Sequence, residues 1–282
     1  MIIFDYQQVA ISNLMEQIGS SKEAVDENLL RHMILNTIRT YVKKFRDSHG
    51  PEIVIACDNY NYWRKEYFPN YKASRKKNRE ASGHDWASIF ESLNKIKEEL
   101  KQHSPYKVLD IESVEADDII GVLAVKYSPQ QKIMILSSDK DFVQLQRFNN
   151  VEQYSPILKK IISEKNPERQ LKELIIRGDR NDGIPNILSS DDIFVSGGRQ
   201  KPITEAKLSV WMNQSPKEFC DEKMYINYIR NENLIDLTKI PVIIQEKILN
   251  SYENSNGKSK QEFMNYLISK RLKNLVEIAN EF

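Results

Sequence analysis

The run Ile53-Val54-Ile55-Ala56-Cys57-Asp58 decides the fold. Its apolar stretch, β-branched at the start and preceded by Gly50-Pro51, reads as a parallel strand buried on both faces, and it ends in an acid. Working outward, the same pattern recurs. Ile2-Ile3-Phe4 ends at Asp5, and Lys132 to Leu136 leads through Ser137-Ser138 to Asp139 and Asp141. Tyr106 to Leu109 predicts another strand, and Glu115 to Lys126 a helix with Glu115, Asp117 and Asp118 in its first turn, where the macrodipole favours acids. Asn28 to Phe45 and Trp86 to Leu100 carry apolar residues near helical spacing. The expected fold class is α/β: a mostly parallel, doubly wound sheet with a smaller C-terminal helical domain. In such sheets binding sites form beyond the carboxyl ends of the strands, where the acids lie.

Val151 to Tyr154 and Leu158 to Ile162 predict a short hairpin at the sheet edge. Helical patterns follow at Pro167 to Arg177, Thr204 to Met212, Pro216 to Arg230, Pro241 to Tyr252 and Lys260 to Ala279. The expected division is therefore residues 1–166 and 167–282, with an insertion at about 60–84 where strand and helix patterning lapses. At 282 residues the chain can bury a substantial core without staples. Its two cysteines cannot form a disulfide framework, and Cys57 reads as a small buried hydrophobe. The start Met-Ile-Ile-Phe-Asp has no basic leader, and no run of about 18 apolar residues occurs, so a cytoplasmic protein without a membrane partner is expected.

Nine carboxylates carry the chemical argument: Asp5, Asp58, Glu115, Asp117, Asp118, Asp139, Asp141, Asp179 and Asp182. Singly, each is as well explained as a helix cap or a turn. Together at convergent strand ends they repel, by roughly 4 kcal/mol per pair at 4 Å and an effective dielectric near 20, so the set calls for a counter-charge. Hard oxygen ligands suit Mg²⁺, with Mn²⁺ as a substitute, and no thiolate or imidazole cluster offers a zinc alternative. Net charge is only +1, but Trp63 to Arg79 holds Arg64, Lys65, Lys72, Arg75, Lys76, Lys77 and Arg79 against one acid. Tyr62, Trp63, Tyr67, Phe68 and Tyr71 are interleaved with these cations at spacings that allow base stacking beside phosphate contacts.

The strings Cys57-Asp58-Asn59, Tyr62-Trp63-Arg64, Glu115-Ala116-Asp117-Asp118, Ser138-Asp139-Lys140-Asp141-Phe142 and Gly178-Asp179-Arg180-Asn181-Asp182, together with Asp5 and the closing Ala279-Asn280-Glu281-Phe282, resemble the flap endonuclease (5′-nuclease) superfamily. The resemblance runs over nearly the entire chain and is strongest to the ribonuclease H branch of T-even bacteriophages. It implies a PIN-like sheet and two metal ions per active site. One would be held by Asp5, Asp58, Glu115, Asp117 and Asp139, the other by Asp141, Asp179 and Asp182. Asp118 is left open between a group behind the ligands and a satisfied helix cap.

The resemblance also makes the insertion an arch over a 5′ single strand. Arg64 and Lys72 would stabilise the scissile phosphate, with Lys65, Tyr71, Arg75, Lys76, Lys77 and Arg79 guiding the strand. The stretch after Asp182 corresponds to a helix-three-turn-helix that grips duplex backbone, in a divergent form whose paired glycines are Gly197-Gly198. The implied activity is two-metal hydrolysis from 5′ ends of RNA–DNA hybrids, duplex DNA and flaps, as in removal of RNA primers inside an infected bacterial cell. A monomer is implied, with the phage single-stranded-DNA-binding protein and the replication clamp as further partners. The lysines around the last helix suit either docking or closure of the small domain. Two alternatives remain on sequence grounds: a PIN-fold endoribonuclease, which needs neither arch nor Gly178 motif, and a non-catalytic structure-specific DNA-binding protein.

Overall fold

The computed structural model of the protein describes residues 1–18 and 26–282. Six strands form one sheet in the order β3-β2-β1-β4-β5-β6: β1 Ile2–Asp5, β2 Ile53–Cys57, β3 Lys107–Asp110, β4 Ile133–Leu136, β5 Val151–Ser155 and β6 Lys160–Ile162. All neighbours run parallel except the β5–β6 hairpin. The strand order reverses at β1, which lies between β2 and β4, so the carboxyl ends of these strands flank the switch point where open α/β sheets bind ligands.

Alternation along the strands divides two cores. Ile2, Phe4, Ile55 and Cys57 face α1 (Tyr6–Ile18), α2 (Glu27–His49) and α5 (Trp86–His103). Ile3, Val54, Ala56 and Ile135 face α6 (Ala116–Tyr127) and α11 (Val242–Asn254). Cys57 is fully buried and both cysteines are free. Among the described residues no helix is long and apolar enough to cross a membrane.

The first helix follows β1 without a loop, Asp5 ending the strand and Tyr6 opening α1. No Gly or Pro marks that turn, and Asp5 serves at once as the last residue of the strand and the cap of the helix. Two expected helices are broken. Pro216 to Arg230 divides at Cys220-Asp221 into α9 (Pro216–Phe219) and α10 (Glu222–Ile235), each with its own polar N-cap, Ser215 and Asp221. Lys260 to Ala279 divides into α12 (Lys260–Ser269) and α13 (Lys273–Val276), with Arg271 at φ +56° between them.

Packing crosses the expected boundary at residues 166/167. A third core joins α7 (Pro167–Arg177), α8 (Glu205–Trp211) and α10 to Phe68 and Tyr71 of the insertion. Residues beyond it return to the sheet: Ile244, Ile248 and Tyr252 of α11 pack on the α6 side, and Phe263, Tyr266, Leu267 and Leu275 of α12 and α13 join the α5 side. The C-terminal helices therefore complete the α/β core, and Lys270 is spent on Glu99 at 2.6 Å.

Candidate active site

The strand-end acids are fixed locally, each with a carboxylate oxygen that accepts from a backbone N–H. Asp5 caps α1, its Oδ1 accepting from Gln8 N at 3.2 Å, while its Oδ2 accepts from Ser137 Oγ at 2.9 Å. Asp58 is gripped by Gln7 through its backbone N–H (3.0 Å) and carbonyl (3.2 Å), and its Oδ1 accepts from Ala116 N at 2.9 Å. Asp139 opens a 3₁₀ helix, Lys140–Arg147, by accepting from Asp141 N at 3.0 Å.

The acids then separate by what neutralises them. Glu115 is 1% exposed and takes Arg64 Nη1 at 2.8 Å and Lys72 Nζ at 2.6 Å. Burial opposes its charge, yet Lys72 and Arg64 hold its carboxyl below the usual range. Asp182 accepts from Arg75 at 2.6 Å and from the Tyr71 hydroxyl at 3.2 Å, and despite burial Lys72 and Arg75 hold it low. Asp179 pairs with Lys140 at 2.7 Å.

The others lack a matched cation. Burial pushes Asp5 up to about 7, reinforced by Asp58 and Asp139. Burial, followed by Asp139, Asp182 and Asp179, pushes Asp141 up to about 8. Asp58 is raised by burial and Glu115 against the pull of Lys72, and Asp117 is raised well above the carboxylate range by burial, then by Asp139, Glu115 and Asp5 against the same lysine. Asp110, also an acid at a strand end, is outside this set because Lys97 meets it at 2.5 Å.

Asp118 is resolved: it faces away from the site. It is fully buried, its Oδ2 accepts from Glu115 N at 3.0 Å and Trp63 Nε1 at 3.1 Å, and Arg64 Nη1 lies 2.7 Å from its Oδ1 as an ion pair without hydrogen-bond alignment. Asp118 thus holds the groups that hold Glu115. Arg64 belongs to the same buried knot. The expected phosphate contact does not fit a side chain 2% exposed, whose Nε also donates to Leu234 O at 2.9 Å.

Asp5, Asp58, Asp117 and Asp139 line an open cleft of about 390 Å³. Its other lining residues are Gln7, Gln8, Ile11 and Ser12 of α1, Lys72, then Arg75 and Arg79 of α4 (Arg75–Ser82), and Trp86 and Phe90 of α5. The insertion is therefore less an aromatic arch than a basic wall on an aromatic root. Trp63, Phe68 and Tyr71 are 8%, 4% and 2% exposed, so they pack rather than stack on a ligand, and the expected contact of Tyr71 with the strand gives way to its bond with Asp182. Lys65, Lys76 and Lys77 are exposed and point no donor at the acids. The cleft residues Gln7, Gln8, Trp86 and Phe90 carry no motif, and only the fold brings them here.

Two glycines close the arrangement. Gly178 (φ +66°) begins the Asp179–Ile184 loop, where an added Cβ would lie 2.3 Å from Ile184 O. Gly183 (φ +72°) lets that loop meet the insertion, an added Cβ falling 2.8 Å from Asn70 O. Beside it Lys72 N donates to Asp182 O at 2.7 Å. The loop is a turn, and it also carries Asp179 to Lys140 and Asp182 to Lys72.

The donor set fits a hard divalent cation: it is all oxygen, and Asp141 Oδ1 is buried without a hydrogen-bond partner. Among the described residues no three of the acids stand close enough to wrap one ion without moving, so the two finished ligand shells expected from sequence are not formed in place.

A mostly parallel sheet whose strand order reverses beside cation-poor acids, walled by lysine and arginine, matches what an α/β phosphodiester nuclease requires. Comparison with known proteins carries this further. The profile of the 5′-3′ exonuclease N-terminal resolvase-like domain matches residues 13–173, and that of the T4 RNase H C-terminal region matches residues 165–282. The chain is 34% identical to ribonuclease H of Enterobacteria phage T4 over 99% of its own length and 95% of that protein's. It is 32% identical to a 5′-3′ exonuclease of Buchnera aphidicola over 55% of this chain and 53% of that one. Among solved structures, the T5 D15 protein co-crystallised with metal ions superposes with a TM-score of 0.62 at 17% identity, over 89% of this chain and 97% of that one. The T5 D15 flap endonuclease in a pseudo-enzyme-product complex with DNA and metal ions gives 0.61 at 16% identity, over 90% and 99%. This chain belongs to the 5′-3′ exonuclease family, a family of hydrolytic nucleases, and is similar to a phage ribonuclease H over 99% of its length.

Proposed function

We propose that the protein is a divalent-metal-dependent 5′-nuclease that hydrolyses RNA in RNA–DNA hybrids and cuts duplex and flap DNA from 5′ ends, removing RNA primers in the cytoplasm of a phage-infected bacterium. The observation that carries this reading is the single cleft in which unneutralised acids meet Lys72, Arg75 and Arg79. Asp5, Asp58, Asp117 and Asp139, backed by Glu115, would hold one Mg²⁺, and Asp141, Asp179 and Asp182 a second. Such ions supply hydroxide near neutral pH and neutralise charge on the leaving oxygen. Lys72 has three donors and spends one on Glu115, which leaves two for a phosphate oxygen beside the acids. Arg75 and Arg79 extend the positive wall along the 5′ strand. Arg64 is a positioning residue behind it. Exposed Arg199, Lys201 and Lys207, around the turn before α8 and on α8 itself, suit the phosphate backbone of the duplex.

A 5′-labelled RNA–DNA hybrid and a flap duplex, each incubated with and without Mg²⁺, test the proposal. Metal-dependent release of short 5′ products from both is expected. Binding without cleavage in any divalent cation, or cleavage confined to internal sites of single-stranded RNA, would overturn it.

The cation shortage has its own signature. The ordinary aspartate value is 3.8, while Asp5 and Asp141 sit at about 7 and about 8 when folded. A carboxyl raised by folding favours the native state below its unfolded value, and that contribution is lost as pH rises through the folded value. The metal-free protein should therefore lose stability between about pH 4 and pH 8. Mg²⁺ at one fixed concentration, ~100-fold above its Kd at pH 8, should restore it by roughly 5–10 °C in Tm at pH 8 and by less at pH 6. Thermal melts at the two pH values with Mg²⁺ or EDTA measure this. Equal shifts at both pH values would detach the cation from these two acids.

A further inference from the structure

The cleft contains two aromatic rings that neither metal holding nor phosphate contact uses. Trp86 opens α5 and Phe90 follows one turn later, with ring centroids 5.7 Å apart and planes inclined by 32°. Both are half-buried and both line the cleft together with Arg75, Arg79 and Ile11. Arg79 Cζ stands 4.9 Å over the Phe90 ring, and the Trp86 indole N–H donates to Ser82 Oγ at 2.7 Å. The polar edge of the indole is thus satisfied within the protein, so the ring needs no polar group from a ligand.

Cations along a trench that begins at the acids, with rings set among them, match the alternation of phosphate and base in a single strand. Of the aromatic residues of the insertion, Trp63, Phe68 and Tyr71 are enclosed, and the half-buried Tyr62 and the exposed Tyr67 do not line the cleft. We propose that Trp86 and Phe90, flanked by Arg79, form a stacking subsite for an unpaired nucleobase of the 5′ strand. It accepts any base, since it offers ring faces and a guanidinium plane and no hydrogen-bonding edge. The proposal rests on the 5′-nuclease reading and deepens it: flaps with bases are held better than the same flaps stripped of bases.

The test uses the full-length chain in EDTA and a duplex carrying a short 5′ thymidine flap, or the same flap with abasic nucleotides, with binding read by fluorescence anisotropy. Wild-type protein should bind the abasic flap about tenfold more weakly. W86L and F90L should bind the thymidine flap about tenfold more weakly than wild type and should show no further loss on the abasic flap, while W86F keeps most of the discrimination. The wild-type arm needs no substitution and so does not depend on how a variant folds. Equal wild-type binding to the two flaps, or variants that still discriminate between them, would overturn the subsite. Failure of the underlying reading is separate: it would appear as no Mg²⁺-dependent cleavage of the thymidine flap by wild-type protein.

Discussion

Lys72→Ala is expected to lower the single-turnover rate of cleavage by about 10²–10³-fold, the cost of removing one preorganised charge from a site where, on the proposed function, negative charge develops. Lys72 is held firmly beside the acids. Its backbone lies in the left-handed region at φ +56°, a conformation that costs a non-glycine residue roughly 1–3 kcal/mol and persists only where the surroundings enforce it. The enforcement comes from both ends, through the bond from Lys72 N to Asp182 O at 2.7 Å and the contact of Nζ with Glu115 at 2.6 Å. Its charge also favours the ionised forms of Asp58 and Asp117. Removing it should therefore shift the pH–rate profile to higher pH as well as lower the rate, because those acids then ionise later. A variant rate within about threefold of wild type at saturating enzyme, with an unmoved profile, would take Lys72 out of the chemistry.

How far the sequence disclosed this follows from which signals are local. Strand ends punctuated by acids are local, and Asp5, Asp58, Asp139 and the Glu115 helix start could be read from spacing together with their convergence at the switch point. The β5–β6 edge hairpin and α7 were legible for the same reason. What escaped depends on tertiary partners. Arg64 and Tyr71 lie in a basic, aromatic stretch whose composition suits a nucleic-acid surface, yet the helical unit covers them: Leu234 O receives the Arg64 Nε and Asp182 receives the Tyr71 hydroxyl. Trp86 and Phe90 show the converse, two apolar positions of an amphipathic helix that the cleft leaves half-open. The return of α11 to α13 onto the sheet was illegible because an amphipathic stripe says that a helix packs, not on what. Asp118 and Asp117 are adjacent in sequence and opposite in role because one step around α6 turns a side chain from the cleft to the buried knot.

That knot yields the largest expected effect on stability. Arg64→Ala removes the guanidinium from between Glu115, 1% exposed, and Asp118, fully buried, and strips Leu234 O of its donor. Taking one partner from a buried ion pair costs about 3–5 kcal/mol, because the remaining charge stays out of water. For a chain of this size that lowers Tm by roughly 10 °C. Lys72 still faces Glu115, so the orphaned charge is chiefly that of Asp118, whose carboxyl burial already raises and Arg64 pulls back. The double variant R64M/D118N should accordingly be more stable than R64M alone, since a buried amide costs less than a buried carboxylate. R64K should not rescue: one ammonium cannot span two carboxylates and a carbonyl as the guanidinium fork does. Denaturant melts of wild type and the four variants decide the matter. If R64A melts like wild type and loses only cleavage, the arginine is not a buried tie between α6 and the end of α10, and the side chain must reach the phosphate after all.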